Sequence, residues 1–154
     1  MKTIETSRGQ KIFVDDHDYE ELSQYTWHVG SHGYAARSVH GPKRATVLMH
    51  RQIMGLSAGY RTQVDHIDGN TLNNCRSNLR LCTQKENKQN IRLKSNSRSR
   101  IKGVYYDAAR DRWQAYICVD KKKIHLGRHK TPEDAHMAYA AAARAYFGDF
   151  ANLG

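Results

Sequence analysis

The sequence predicts an α+β chain assembled from small pieces. The order is a strand-rich α/β segment, a strand–loop–strand–helix unit, a basic linker, and a three-stranded antiparallel sheet backed by one helix. Three observations predict it. Short apolar runs alternate with period two and are punctuated by Gly, Pro and Asn, as half-buried strands are. One late stretch, 131–148, carries apolar residues at helical spacing between clear start and stop signals. The positive charge is concentrated in the middle: residues 65–102 hold nine Lys and Arg against three acids, whereas 1–64 and 103–154 hold eight against six each.

Residues 1–60 form the first expected segment. Runs at 11–14, 26–29, 34–38 and 46–49 are strand-like, separated by Gly30, Gly33 and Gly41-Pro42. Residues 15–24 and 50–56 suit short helices. No catalytic spacing stands out here: His17, His28, His32 and His40 are scattered, and His50-Arg51 suggests packing or a phosphate contact.

Residues 61–92 form the second segment. Residues 63–67 and 79–82 read as strands around an Asn-rich loop that begins at Asp68-Gly69-Asn70. Thr83-Gln84-Lys85-Glu86 then reads as a capping box, in which the Thr hydroxyl and Glu carboxylate satisfy each other's orphan backbone donors. A helix starting at Thr83 carries Asn87 on its first turn. Residues 93–102 form a linker. The longer run 88–102, KQNIRLKSNSRSRIK, has six basic residues and no acid, so it lacks the means to bury a core.

The last segment, 103–154, reads as strands at 103–107, 112–119 and 123–129, then a helix. In the middle strand Trp113, Ala115, Ile117 and Val119 share one face, and Arg112, Gln114, Tyr116 and Cys118 the other. Thr131 can cap the helix, Pro132 suits its first position, Glu133 and Asp134 favour its positive end, and Gly148 closes it. Ala135, Ala138, Tyr139, Ala142, Ala145 and Tyr146 are expected to form its apolar stripe.

Composition narrows the function. A formal net charge of +10 and a pI near 9.7 in a 154-residue chain imply a polyanionic partner, most simply nucleic acid. Cys75, Cys82 and Cys118 form no C-x-x-C pair and are odd in number, which fits a reducing compartment rather than a disulfide framework. The start, MKTIETSRGQ, has no apolar leader, and no stretch approaches membrane-span length. The expected setting is the cytoplasm, with no membrane and no small-molecule cofactor.

The chemistry concentrates in VDHIDGNTLNNCRSNLRLCTQKENKQN, residues 64–90. Phosphodiester hydrolysis needs a base, a cation to neutralise the phosphate, and stabilisation of the leaving oxygen. His66 can be the base, because an imidazole titrates near neutrality. Asp65, on the opposite side of the strand, can hold a hard divalent ion together with the Asn87 carbonyl. Asn78 can tie the long loop to the backbone and so fix His66.

This segment resembles the HNH endonucleases of ββα-metal fold, in particular the phage and intron-encoded homing branch. The family's spacing is present: Asp65-His66, then Asn78 twelve residues after His66, then Asn87 twenty-one after it. The motif's final His is Asn here, which favours Mg²⁺ or Mn²⁺ over Zn²⁺. The resemblance implies cleavage leaving 5′-phosphate and 3′-hydroxyl ends.

The tail, GVYY…RWQAYI…KIHLGRHKTPEDAHMAYAAAARAYFGDFAN, resembles the plant APETALA/ethylene-response-factor domain, whose sheet lies in the DNA major groove. By position its reading face here is Tyr105, Arg112, Gln114, Tyr116, Cys118, Lys123 and His125, the polar face that alternation gives independently. Arg110 and residues 121–123 are expected on phosphates, and Arg92, Lys94, Arg98 and Arg100 along the DNA backbone. The expectation is therefore a metal-dependent, homing-type nicking endonuclease acting on double-stranded DNA, as a monomer or homodimer. A non-catalytic DNA-binding regulator with a degenerate HNH fold is the alternative, and an RNA-binding protein a weaker third.

Overall fold

A hairpin of β1 (Lys2–Glu5) and β2 (Lys11–Val14) starts the chain, closed by backbone and side-chain bonds between Thr6 and Gln10. The computed structural model describes residues 1–41, 44–57, 60–89 and 99–154. These fall into two compact units, Met1–Asn87 and Lys88–Gly154.

In the first unit the hairpin is followed by α1 (Asp16–Leu22), with Asp16 and Asp18 at its positive end. A three-stranded antiparallel sheet follows, in the order β3 (His28–Val29), β4 (Ala35–Val39), β5 (Ala45–Leu48). The single-turn α2 (Met49–Ile53) leads on to β6 (Gln63–His66). The loop after β6 ends in a 3₁₀ turn (Arg76–Asn78) that feeds β7 (Leu79–Cys82), and α3 (Gln84–Gln89) follows, the unit ending within it at Asn87. Strands β6 and β7 pair antiparallel with Asp65 opposite Arg80 and His66 opposite Leu79.

One core gathers residues from β1, β2, α1, β4, α2, β6 and β7. Ile4, Ile12, Val14, Leu22, Trp27, Ala35, Met49 and Ile53 pack with Val64 and Leu79. Trp27 anchors it, donating its indole N–H to the Leu22 carbonyl at 2.8 Å. The expected boundary between residues 60 and 61 therefore does not separate two cores. The strand–loop–strand–helix residues supply Val64 and Leu79 to a core that residues 1–60 largely build. A ββα unit of this size buries too little apolar area on its own, which is why it leans on the preceding strands. Strand β1 went unforeseen because KTIE carries only one apolar residue that becomes buried, Ile4.

In the second unit β8 (Val104–Asp107), β9 (Arg112–Val119) and β10 (Lys122–His129) form an antiparallel sheet with β9 central. Asp120 and Lys121 both have positive φ, as a two-residue hairpin turn of matching twist requires. Helix α4 (Pro132–Phe147) is capped by Thr131, whose hydroxyl accepts from the Asp134 N–H at 3.1 Å. It packs Ala135, Tyr139 and Ala143 on Val104, Ala115 and Ile117. The buried row follows i, i+4, i+8 and continues to Phe147. Ala145 and Tyr146, expected in the stripe, are exposed, because that slanting row leaves them past the sheet. Among the described residues no helix is long and apolar enough to cross a membrane.

Candidate functional site

His66 is the last residue of β6, so its side chain leaves the strand on the same side as Val64 and enters the protein. It is 3% exposed. Its Nε2 lies 3.4 Å from Asn74 Oδ1, and its ring centroid lies 5.2 Å from that of His50 and 5.8 Å from that of Tyr34. Burial lowers its pKa below the ordinary imidazole value, while the Asn74 bond and the charges of Asp68 and Asp65 pull the other way. The ring is therefore neutral at pH 7, the form in which an imidazole can take a proton.

The loop that follows is a closed hydrogen-bond network. Asn78 Oδ1 accepts from the Asp68 N–H at 3.0 Å, while its Nδ2 donates to Asp68 Oδ1 at 2.9 Å and to the Asn73 carbonyl at 2.8 Å. The Asn78 carbonyl accepts from the Ile67 N–H. One side chain thus ties both ends of the loop. Burial by itself would raise the Asp68 pKa, but hydrogen bonds from Asn73, the Asn70 backbone and Asn78 outweigh it and hold the carboxylate below its usual value. The loop is also docked on the rest of the unit. Phe13 exchanges backbone bonds with Leu72 and Asn74, and Thr71 donates to the Gly33 carbonyl at 2.7 Å.

Asp65 faces the other side of β6, as neighbours in a strand do. Its Oδ2 accepts from Arg80 Nε at 2.8 Å and Nη2 at 2.6 Å across the β6–β7 pair. Gln63 lies on that same face, and Asn87 Nδ2 donates to its Oε1 at 2.7 Å. Asn87 is held there by the start of α3. The Glu86 carboxylate accepts from the Thr83 N–H at 2.7 Å and the Thr83 hydroxyl accepts from the Glu86 N–H, a reciprocal cap. The structure thus puts Asp65 and Asn87 on one face of β6 and His66 on the other, with Asn78 behind the loop.

Two residues of this site have no local sequence signal. His50 and Tyr34 are brought to His66 by tertiary packing, His50 from the same short helix as Met49, whereas Asn74 belongs to the Asn-rich loop after β6. Arg51, next to it, spends its guanidinium on the carbonyls of Thr62, Ser57 and Tyr60 at 2.9–3.2 Å, pinning the chain that returns into β6. Asp15, His17 and Asp18 also gather potential metal-ligand atoms, within 4.8 Å of one another. Arg76 already binds both carboxylates of that group, by its backbone N–H to Asp15 and its guanidinium to Asp18, and so pins α1 to the loop.

In the second unit the sheet face away from α4 is polar and organised. Tyr105 is 54% exposed, and Arg110, Arg112, Cys118, Lys123 and His125 are also exposed, with Gln114 and Tyr116 half-buried among them. Tyr116 packs between Tyr105, edge-on at 6.0 Å, and His125, tilted at 4.9 Å. Lys123 Nζ sits 3.8 Å from the Tyr116 ring centre and 5.1 Å from that of Tyr105, close enough for cation–π attraction. Tyr116 donates to Gln114, which donates to Asp107, and Arg110 pairs with that same carboxylate. Arg128 was missed by alternation. A bulge between His125 and Arg128, where Gly127 has φ +109, shifts the register so that Arg128 lies opposite Gln114 on the polar face. Arg100 is exposed, with positive φ. Arg92, Lys94 and Arg98 lie outside the described residues.

Comparison with known proteins agrees with both halves. A family model described as HNH endonuclease matches residues 47–89, and one described as AP2 domain matches residues 99–149. A protein of Acanthamoeba polyphaga mimivirus, described as an uncharacterized HNH endonuclease, is 30% identical over 144 residues, covering 94% of this chain and 74% of its own length. Protein 3.8 of Escherichia phage T7 is 37% identical over 60 residues, covering 39% of this chain and 50% of its own length.

Proposed function

The chain belongs to the HNH endonuclease family, and we propose that it is a metal-dependent, homing-type enzyme that nicks one DNA strand at sites chosen by its C-terminal sheet. The observation that carries this reading is the setting of His66, neutral at the end of β6, with Asp65 and Asn87 together on the strand's other face.

In the tautomer that donates Nε2–H to Asn74 Oδ1, Nδ1 carries the lone pair. His66 takes a proton from the attacking water as the water oxygen bonds to phosphorus. The bond from phosphorus to the 3′ oxygen breaks, and that oxygen leaves with the electron pair and takes a proton from solvent, giving a 5′-phosphate and a 3′-hydroxyl. Asn78 acts one step back, by holding the loop that flanks His66. Asp65 and Asn87 would hold the divalent ion. Their carboxylate and carbonyl oxygens are hard donors, which suit Mg²⁺ or Mn²⁺ better than Zn²⁺. When bound, such an ion neutralises charge on the phosphate and on the leaving oxygen.

DNA is the partner of both halves. In this reading Tyr105, Arg112, Gln114, Tyr116, Lys123, His125 and Arg128 face the bases, and Arg110, Arg100 and the basic run 88–102 follow phosphates. One site per chain gives one cut strand, so a double-strand break would require two chains. Supercoiled plasmid incubated with Mg²⁺ tests this. The expected product is open circle, its formation stopped by EDTA and lost in Asp65→Ala and Asn87→Ala. Linear product from single encounters would remove the nicking assignment. Wild-type rates in both variants would show that the ion sits elsewhere.

A further inference from the structure

We propose that His50 is a positioning residue for His66: with the Tyr34 ring, its imidazole fixes the plane of the His66 ring so that the basic nitrogen keeps one direction. The inference deepens the nuclease reading and rests on His66 being the base.

The three rings come from three separate places in the fold. Tyr34 precedes β4, His50 lies on α2, and His66 ends β6. Their centroids form a closed triangle, 5.0 Å for Tyr34–His50, 5.2 Å for His50–His66 and 5.8 Å for Tyr34–His66. The two imidazoles meet at 81°, edge to face. That arrangement is favoured by ring quadrupoles, and it resists rotation of either ring. The Nε2 contact to Asn74, at 3.4 Å, is long for a hydrogen bond and constrains the ring weakly. Packing against two rings adds to that constraint.

His50 is suited to this and poorly suited to touching substrate. It is 5% exposed, and its Nδ1 is buried with no hydrogen-bond partner among the described residues. Ring contacts are therefore what it offers its neighbours. Burial, then the neighbouring His66 and Arg51, takes its pKa down to about 3, so it brings no charge against a protonated His66 at working pH. Arg51 locks the adjacent backbone to the chain entering β6, which keeps α2 and His66 in one register. The segment matched by the HNH model starts at residue 47 and so includes this helix.

The test is steady-state nicking of a duplex substrate in Mg²⁺ by the full chain, with DNA affinity measured separately in EDTA. His50→Ala should lower kcat about 10- to 100-fold, the cost typical of a misaligned catalytic group, with KM and DNA affinity unchanged. His50→Phe, which keeps an aromatic ring, should recover to within about fivefold of wild type; His50→Leu, which keeps apolar volume without a ring face, should not. In the metal-free protein, nuclear Overhauser contacts between the Tyr34 and His66 rings should persist in the Phe variant and weaken in the Leu variant. Should the Ala variant not fold, the Phe–Leu pair decides alone. Equal kcat for Phe and Leu, wild-type kcat for Ala, or a change confined to KM would each overturn the proposal. His66→Ala run in parallel separates the two readings. If it is inactive while His50→Ala cuts at full speed, only the positioning role fails. If His66→Ala itself cuts normally, the base assignment falls and the positioning role with it.

Discussion

Inside the first unit, two buried imidazoles face each other, and burial lowers the proton affinity of both. In the base role proposed for His66 the ring must be neutral, so cleavage is expected to rise with pH through a pKa below the ordinary 6.5. His66→Ala should abolish nicking, by at least the roughly 10²–10⁴-fold typical of acid–base catalysis, while DNA binding in EDTA stays near wild type. Normal nicking by that variant would end the assignment. For His50 the consequence is stability. Its folded pKa, about 3, lies below its unfolded value of 6.5, so the unfolded chain binds the proton more readily between those limits. The contribution is complete above pH 6.5 and is lost as pH falls towards 3. Urea midpoints should therefore drop between pH 7 and pH 4.5, and drop less in His50→Phe. Equal slopes in the two proteins would mean that other groups govern the acid limb.

At the scale of elements, the legible parts were those whose signals are local. Thr83 and Glu86 stand three apart in the sequence and cap α3; Thr131 and Pro132 start α4. Asp65, His66, Asn78 and Asn87 are spaced along one short unit, so the sequence could group them before any fold was known. Tyr34 and His50 belong to other elements and reach His66 only through the shared core, where no spacing rule applies. Arg128 was hidden by a bulge, which breaks the period-two rule that alternation depends on. Gly103 offers a direct test of how tightly α4 is seated. Its φ is +73, and an added Cβ would lie 2.1 Å from Tyr139 Cδ2, a ring atom already buried against the sheet. Gly103→Ala combines backbone strain with overpacking and should cost roughly 2–5 kcal/mol. Calorimetry should show the second unit melting earlier with the first unchanged. A loss under about 1 kcal/mol would mean that Tyr139 can swing away.

The whole molecule has two units with separate cores, and the division of labour proposed for them makes a prediction that neither unit makes alone. The first unit, Met1–Asn87, holds Asp65, His66, Asn78 and Asn87. The second carries the polar sheet face on which Tyr105, Tyr116, His125 and Lys123 are already packed against one another, so if that face is the proposed reader, little side-chain entropy remains to be lost on binding. A fragment ending at Asn90 should therefore keep weak Mg²⁺-dependent nicking and lose site preference. Its cuts should scatter where the full chain's cluster. The basic run 88–102 is proposed to contribute charge without base contacts. Neutralising Arg92, Lys94, Arg98 and Arg100 together should weaken binding to all sequences alike. It should also flatten the dependence of log affinity on log salt by about 0.9 for each phosphate contact removed. Those two signatures are distinguishable. Loss of the sheet should change where the enzyme cuts, and loss of the basic run should change how tightly it binds at any site. If the Asn90 fragment cuts at the full chain's positions, site choice belongs to the first unit, and the sheet adds affinity only.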